Sequence, residues 1–351
     1  MFLLREVRPS DLDDLFELAK RLNTLNLPAN RDVLKKRIEY SRSSFGGRFD
    51  DHQDCEYIFV LRDLDADKVI GTCMIIAKHG TFERPAVYFK VNEVQKYSTT
   101  ISRHFVHQTL QLHFDYRGPT EIGGLILHPD YRGHRLKLGK LLSYVRFLYI
   151  GMHQARFEDE LVAELLPELN EDGTSELWEH LGRHFTGLDY MTADKMSREN
   201  IEFIRSLFPF EPLYTALLPS DVEAKIGSVG PPTKPVEKML KSIGFVYDKS
   251  IDPFDGGPTF RARTQNCDPV QRTTSETFIG LLPDDEPADG LAMMGYEYDT
   301  KLVRFRAVMG EYKREADGVR FRSVAADKLR VEPGESLGFL PLSGPGLIDL
   351  Y

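Results

Sequence analysis

Residues 128–140 read His-Pro-Asp-Tyr-Arg-Gly-His-Arg-Leu-Lys-Leu-Gly-Lys. Arg132, His134, Arg135, Lys137 and Lys140 gather positive charge about one turn, and Gly133 and Gly139 let a ligand approach the backbone closely. Apolar residues Leu125, Ile126 and Leu127 precede the turn. A helical stripe of Leu138, Leu141, Leu142, Val145, Leu148 and Tyr149 follows it. A strand that turns into a helix leaves backbone N–H groups free at the helix start, where the helix dipole also favours an anion. A diphosphate fits that chemistry. A solvated basic helix cap fits the same residues.

Three other constellations carry titratable groups. Glu121 heads the strand before the turn, where a carboxylate can take a proton from an attacking amine, directly or through water; a strand-end salt bridge is the alternative. Ser175–Phe185 reads as an amphipathic helix holding Trp178, with His180 and His184 four residues apart on one face. Those residues equally suit a packing face with two solvated histidines. Asp252 and Asp255 lie in Ile-Asp-Pro-Phe-Asp-Gly-Gly-Pro (251–258), where paired carboxylates can clamp a guanidinium or simply cap a tight turn. Cys55, Cys73 and Cys267 have no CxxC spacing, so neither a metal site nor a disulfide framework is expected.

The elements that must position these groups are legible in outline. A short strand over 2–8 precedes a helix that Ser10 would cap, with Asp11, Asp13 and Asp14 in its first turn and Leu12, Leu15, Phe16, Leu18, Ala19 and Leu22 as its stripe. A helix over about 31–45 turns Val33, Leu34, Ile38 and Phe45 inward. A hairpin spans 56–78, strands are expected over 86–95, 105–114 and 121–128, a helix over 136–153 and a strand over 161–167. The second half predicts helices at 175–185 and near 197–208, 219–227 and 233–243, then two strands before 265. Short alternating strands after about residue 268 suggest a small β-barrel or sandwich. The expected division is 1–168, 169–265 and 266–351.

Composition bounds the function. With 45 basic and 54 acidic residues the net charge is −9, which argues against general nucleic-acid binding and suits a cationic small-molecule ligand. The first residues turn charged by Arg5, unlike a signal peptide, and no apolar run approaches the ~18 residues of a membrane helix. A reduced cytoplasmic location is the expectation.

The order of strands and helices up to residue 168, with a central strand feeding a glycine-bearing basic turn, resembles GNAT acyl-CoA N-acyltransferases, an α/β (α+β) fold. Ser175–Phe185 resembles a helix phrase common in that fold, with Trp178 where a proton-donating tyrosine often stands. Val236–Phe245 repeats the phrase, which suggests a tandem arrangement. The basic turn departs from the usual glycine signature, because Lys137 stands where a glycine is expected.

Over nearly its whole length the chain resembles the arginine N-succinyltransferase family. LREVRPSDLDDLFELA, TEIGGLILHPDYR, SELWEHLGRHF, LYTALLP and above all IDPFDGGPTF carry the resemblance. It implies transfer of succinyl from succinyl-CoA to the α-amine of arginine, without a metal and without a covalent enzyme intermediate. It places the acyl-CoA contact at Leu125, Ile126 and Leu127 and the phosphates on a turn from Arg132 to Lys140 that is about two residues longer than usual. Arg103 and Arg183 are candidates to meet the succinyl carboxylate. A homo-oligomer, or pairing with a paralogous subunit, is expected. The family's presumed proton donor is a histidine in Ile-Gly-x-Val-His-Pro; here Ile226–Pro231 has Gly230 at that position. His184 or water-mediated Glu121 is the replacement to consider. Another acceptor amine such as ornithine or a polyamine, or a CoA-binding relative without turnover, remain the alternatives.

Overall fold

The computed structural model describes residues 1–22, 27–197, 200–300 and 303–345. β1 (Phe2–Glu6) passes through Pro9 into α1 (Leu12–Leu22), and α2 (Arg31–Phe45) follows. β2 (Glu56–Asp63) and β3 (Lys68–Ile76) form one hairpin, β4 (Ala86–Ser98) and β5 (Arg103–Asp115) a longer one. β6 (Thr120–Leu127) feeds α3 (Leu138–Met152), then β7 (Glu160–Glu164). A π-helical turn, Trp178–Gly182, runs straight into α4 (Arg183–Thr186). α5 (Tyr190–Ser197), α6 (Glu202–Leu207), β8 (Leu213–Tyr214), α7 (Ser220–Lys225) and α8 (Lys234–Ser242) lead to β9 (Val246–Ile251), β10 (Pro258–Arg263) and α9 (Asp268–Arg272). The chain continues through β11 (Thr274–Leu281), β12 (Gly290–Glu297), β13 (Phe305–Glu315), β14 (Gly318–Phe321), α10 (Ser323–Leu329) and β15 (Ser336–Pro341).

The mixed α/β fold is as expected, and local details differ for physical reasons. Ser10 does not cap α1. The Asp11 carboxylate accepts the Arg8 N–H at 2.8 Å and a fork from Arg5 at 2.7 Å, so the buried aspartate, and not the serine, fixes the chain entry. In α2, Leu34, Ile38, Ser41 and Phe45 face inward, while Val33, about 80° round the helix from that stripe's edge, is 40% exposed. Of the helix expected near 197–208, the described residues show α6, which begins where Asn200 Oδ1 accepts the Glu202 N–H at 2.8 Å, with Ser197 ending α5; residues 198–199 and the Leu22 side chain lie outside the described residues. α5 and α10 had no expectation attached.

Two compact units, each discontinuous in sequence, make up the chain: 1–77 with 120–159 and 264–351, and 78–119 with 160–263. They cut across the division at 168 and 265. In the first unit β1, β2, β3 and β6 pair antiparallel in that order, with α1 and α3 against them. β12, β15, β11, β14 and β13 follow one another, and a β12–β13 pairing closes them into a five-stranded barrel. β13 also pairs with β1, and α3 lies so close to β15 that a Cβ on Gly338 would sit 2.3 Å from Met152 Sδ. The barrel is therefore welded to the N-terminal sheet. Leu3, Phe278, Val308, Phe321 and Phe339 fill its core.

In the second unit β7, β10, β9, β4, β5 and β8 form an antiparallel series. Its core gathers Phe89, Leu110, Leu177, Trp178, Tyr190, Phe208 and Phe254. No described helix is long and apolar enough to cross a membrane.

Candidate active site

β6 does not run straight. Its register against β3 pairs Gly123 with Met74 and Ile126 with Thr72, so Gly124 and Leu125 together oppose Cys73. This is a β-bulge, and the extra residue's backbone groups leave the ladder. Gly124 makes it possible: its φ is +58°, and a Cβ there would sit 2.9 Å from Met74 Cγ. Leu125 thus stands at a point where strand backbone is released.

The basic turn follows directly. Gly133 has φ +71° and open space about it. Lys137 has φ 40° and ψ 52°, the left-handed conformation that a glycine adopts without cost, and it is the N-cap residue of α3. The backbone shape that the glycine signature encodes is therefore kept without the glycine. His134 Nδ1 accepts the Leu136 N–H at 3.1 Å, and the Lys137 N–H bonds the His134 carbonyl at 2.8 Å, which folds the turn onto itself. Phe2 of β1 packs edge-on against His134 at 5.2 Å, and Tyr131 donates to Asp63 at 3.0 Å. Arg132, Arg135 and Lys137 stay exposed around the first turn of α3, whose leading N–H groups have no intrahelical acceptor. The arrangement can hold a multiply charged anion against backbone N–H groups.

Beside the bulge lies a buried charge that the sequence reading missed. Arg146 of α3 is 2% exposed, donates to the Gly123 carbonyl at 3.1 Å and braces itself on Ser143 through Oγ at 2.7 Å. Burial pushes its guanidinium below the usual value, while nearby Cys73 and the Glu121 carboxylate hold it up. Glu121 is itself buried in β6. Arg146 therefore pins the strand just before the bulge, with Glu121 as a nearby countercharge.

The second unit holds an opposite site. Asp252 Oδ1 accepts the N–H groups of Phe254 at 2.6 Å and Asp255 at 3.0 Å, and Asp255 Oδ1 accepts that of Gly257 at 2.7 Å. Each carboxylate spends one oxygen on the turn. Burial raises Asp252 to about 6, with the charge of Asp194 adding to the effect and His79 opposing it. Asp255 is raised well above the ordinary value by burial, then by Asp252, Glu164 and Asp194. Four carboxylates drawn from β7, α5 and this loop thus crowd one region, with His79 Nε2 3.9 Å from Glu164. A bound cation is the natural relief for such crowding.

A family model described as arginine N-succinyltransferase beta subunit matches residues 2–269. The chain belongs to the arginine N-succinyltransferase family. It is 33% identical over 344 residues to the Pseudomonas aeruginosa protein named arginine N-succinyltransferase subunit beta, covering 97% of this chain and 98% of that one. It is 34% identical over 348 residues to a Yersinia enterocolitica arginine N-succinyltransferase, with coverage of 98% and 99%. The solved structure of arginine/ornithine succinyltransferase subunit AI from Pseudomonas aeruginosa superposes with a TM-score of 0.81 at 26% identity, covering 98% of this chain and 99% of that one.

Within this arginine N-succinyltransferase fold, the glycine that stands in place of the family's histidine has a steric meaning. Gly230 donates to the Leu166 carbonyl at 3.1 Å, and a Cβ on it would lie 2.6 Å from the Pro167 oxygen. The space a histidine would need is filled by backbone. Its loop is tied to the aspartate loop by the Gly227 N–H, which donates to Gly256 O at 3.1 Å.

Trp178 is fully buried and stacks on Phe254 at 5.0 Å, while its indole N–H donates to the Leu188 carbonyl at 2.9 Å. It supports the aspartate loop from beneath. Gly182 is required there, since a Cβ would lie 2.3 Å from the indole. His180 and His184 are exposed on the same helical segment, His180 lying 3.4 Å from Glu176. Arg183 is exposed and held by Glu179 at 2.6 Å, and Arg103 is exposed at the start of β5. Glu121, Leu125, Ile126, Leu127 and the turn from Arg132 to Lys140 fall together in the first unit; Trp178, His180, His184, Asp252 and Asp255 fall in the second. His79, Glu164 and Asp194 carry no motif; only Asp194 is buried, and it is their proximity to the aspartate loop that marks them.

Proposed function

We propose that this chain transfers a succinyl group from succinyl-CoA to the α-amine of arginine. The observation that carries the reading is the bulge at Gly124–Leu125 running straight into a basic, left-handed turn at Lys137. A released N–H beside Leu125 can polarise a thioester carbonyl, and the turn can neutralise a diphosphate. Arg132, Arg135, Lys137 and Lys140 supply the charge, with Gly133, His134 and Gly139 shaping the loop. Asp252 and Asp255, reinforced by Asp194 and Glu164, recognise the guanidinium.

The amine must be neutral to attack the carbonyl carbon. Its proton passes through water to Glu121; the C–N bond forms as the C–S bond breaks, and the thiolate leaves to be protonated from solvent. Gly230 cannot serve in this, so a proton relay through the family's histidine position is not part of the reading. His184 and His180 are the second candidates for the proton transfer, and Arg103 and Arg183 for the succinyl carboxylate. Ornithine is a second acceptor to consider, because its side chain also carries a cation for the acidic cluster to attract and the related subunit AI is named for both amino acids. Pairing with another subunit has the same support, from the relatives named as subunits. A cytoplasmic location fits a succinyl-CoA-dependent reaction.

Initial rates of thiol release with succinyl-CoA against arginine, ornithine and a polyamine test the reading. A clear preference for arginine is expected. Equal rates for all three amines reject the acceptor, and binding of succinyl-CoA without turnover rejects the reaction for this chain alone.

A further inference from the structure

The first unit contains a cavity of about 420 Å³ that no part of the acyl transfer uses. β1 alternates about it: Phe2 packs on His134 of the basic turn, while Leu3 and Arg5 line the cavity on the other face. The charged part of the remaining wall comes from Arg8, Arg62 and Asp67, Arg306 of β13, and Asp327, Lys328 and Arg330 at the end of α10, so the cations outnumber the two carboxylates.

The charges there do not balance. Arg5 is satisfied by Asp11, Arg8 faces Glu6 at 3.1 Å, and Arg62 pairs with Asp67. Arg306 donates to the Lys328 carbonyl at 2.9 Å and lies over the Tyr298 ring at 5.7 Å, with no ion pair to a carboxylate among the described residues. Among the described residues its Nε is buried without any hydrogen-bond partner, and so is Nη2 of Arg8. Arg306 is 9% exposed. A buried guanidinium N–H left unmade is expensive, and natural structures keep few of them. Lys328 is partly buried too, and burial pushes its ammonium below the usual value while Asp65 opposes the shift. Arg330 is itself left-handed, φ 53°, and turns the chain sharply at the end of α10. All this stands in a chain of net charge −9, so the local excess of cations is not a reflection of composition.

We infer that the cavity between β1, β13 and α10 is a binding site for a small organic oxyanion, a phosphate or a carboxylate, held by Arg306, Arg8 Nη2, Lys328 and Arg330. Its volume lies within the roughly 300–1,000 Å³ of small-molecule sites. Leu3, Leu64 and Val324 give it apolar walls for the body of such a ligand. The two orphan guanidinium N–H groups supply directional contacts that an inorganic counterion layer at the surface would not need.

Thermal unfolding of the full chain at fixed ionic strength tests this, with pyrophosphate, succinate and sodium chloride as the three additions. Pyrophosphate or succinate should raise Tm by about 2–4 °C near tenfold excess over Kd, beyond the chloride control. Arg306→Gln should remove most of that shift. Arg330→Gln, at an exposed position whose replacement leaves the core untouched, should reduce it at least by half. All shifts are read in an Arg132→Gln, Arg135→Gln background, so that a diphosphate held by the turn before α3 does not contribute. Lys35→Gln, exposed on α2 and outside the cavity wall, should keep the shift. The anion that gives the larger shift identifies the headgroup. No shift beyond chloride in that background, a shift retained in Arg330→Gln, or one lost equally in Lys35→Gln overturns the proposal.

Discussion

The turn after β6 and the loop at 252–257 solve opposite problems by opposite means. The turn gathers positive charge on exposed side chains and leaves α3 amides uncommitted, so an anion can be gripped by backbone and side chain together. The loop uses its carboxylates to tie its own N–H groups and then crowds them with Asp194 and Glu164. One cluster is made by local sequence, the other by tertiary packing that brings carboxylates from several elements together. The difference teaches where charge can be read from a sequence. Exposed cations on one turn announce themselves; carboxylates brought together from several elements do not.

Reversing Arg132 and Arg135 together to glutamate strikes the turn hardest. Affinity for coenzyme A should fall about 100-fold, since two charge-assisted contacts of roughly 1.5–3 kcal/mol each are replaced by repulsion. Calorimetry with coenzyme A measures it, and unchanged affinity would remove the turn from the comparison.

Gly230→His probes the loop's scaffold. The new side chain must displace the Pro167 backbone, so we expect about 1–3 kcal/mol of destabilisation and no gain in rate. A faster enzyme of undiminished Tm would show that the family histidine can be restored.

Asp255→Asn should raise the KM for arginine about 10-fold while leaving that for succinyl-CoA alone, the signature of a lost charge-assisted contact to the cation. Equal changes in both constants would mean that the loop is structural only.

The pH dependence sharpens the contrast. Asp252 is raised from its ordinary 3.8 to about 6. Below that value it is protonated and attracts a guanidinium weakly, so the KM for arginine should fall as pH rises through about 6. The folded value lies above the unfolded one. The unliganded fold therefore keeps this group's stabilisation below about pH 4 and loses it as pH rises through 6. Asp252→Asn retains the Oδ1 acceptor for Phe254 and Asp255. It should flatten the KM profile and raise the Tm of unliganded protein at pH 7. A profile unchanged by the substitution would assign the titration elsewhere.

The smallest effect is expected at Lys137. Lys137→Gly relieves a left-handed residue worth about 1 kcal/mol and removes one exposed cation. Tm should rise slightly while the KM for succinyl-CoA increases no more than a few-fold. A large loss of affinity would make Lys137 a direct phosphate ligand and not a shape-keeping residue.

Much of this fold was legible because its signals are periodic and local. The stripe from Leu138 to Tyr149 required α3, and the alternating segments after residue 268 required strands. The domain boundaries were not legible. β1 pairs with β13, and the first unit is assembled from three separated stretches, a long-range pairing that no window of sequence contains. The bulge at Gly124 hid for a related reason: a glycine pair in a strand signals irregularity, but only the partner strand's register shows which residue leaves the ladder.

The sequence by itself determined the elements, the basic turn and the family likeness, because side-chain period, turn residues and charge runs act over a few residues. Tertiary structure alone decided that Lys137 takes a glycine's conformation, that Gly230 has no room for a histidine, and that Asp194 and Glu164 join Asp252 and Asp255. Those outcomes depend on what packs against each residue. Packing brings together groups whose separation along the chain carries no information about their separation in space.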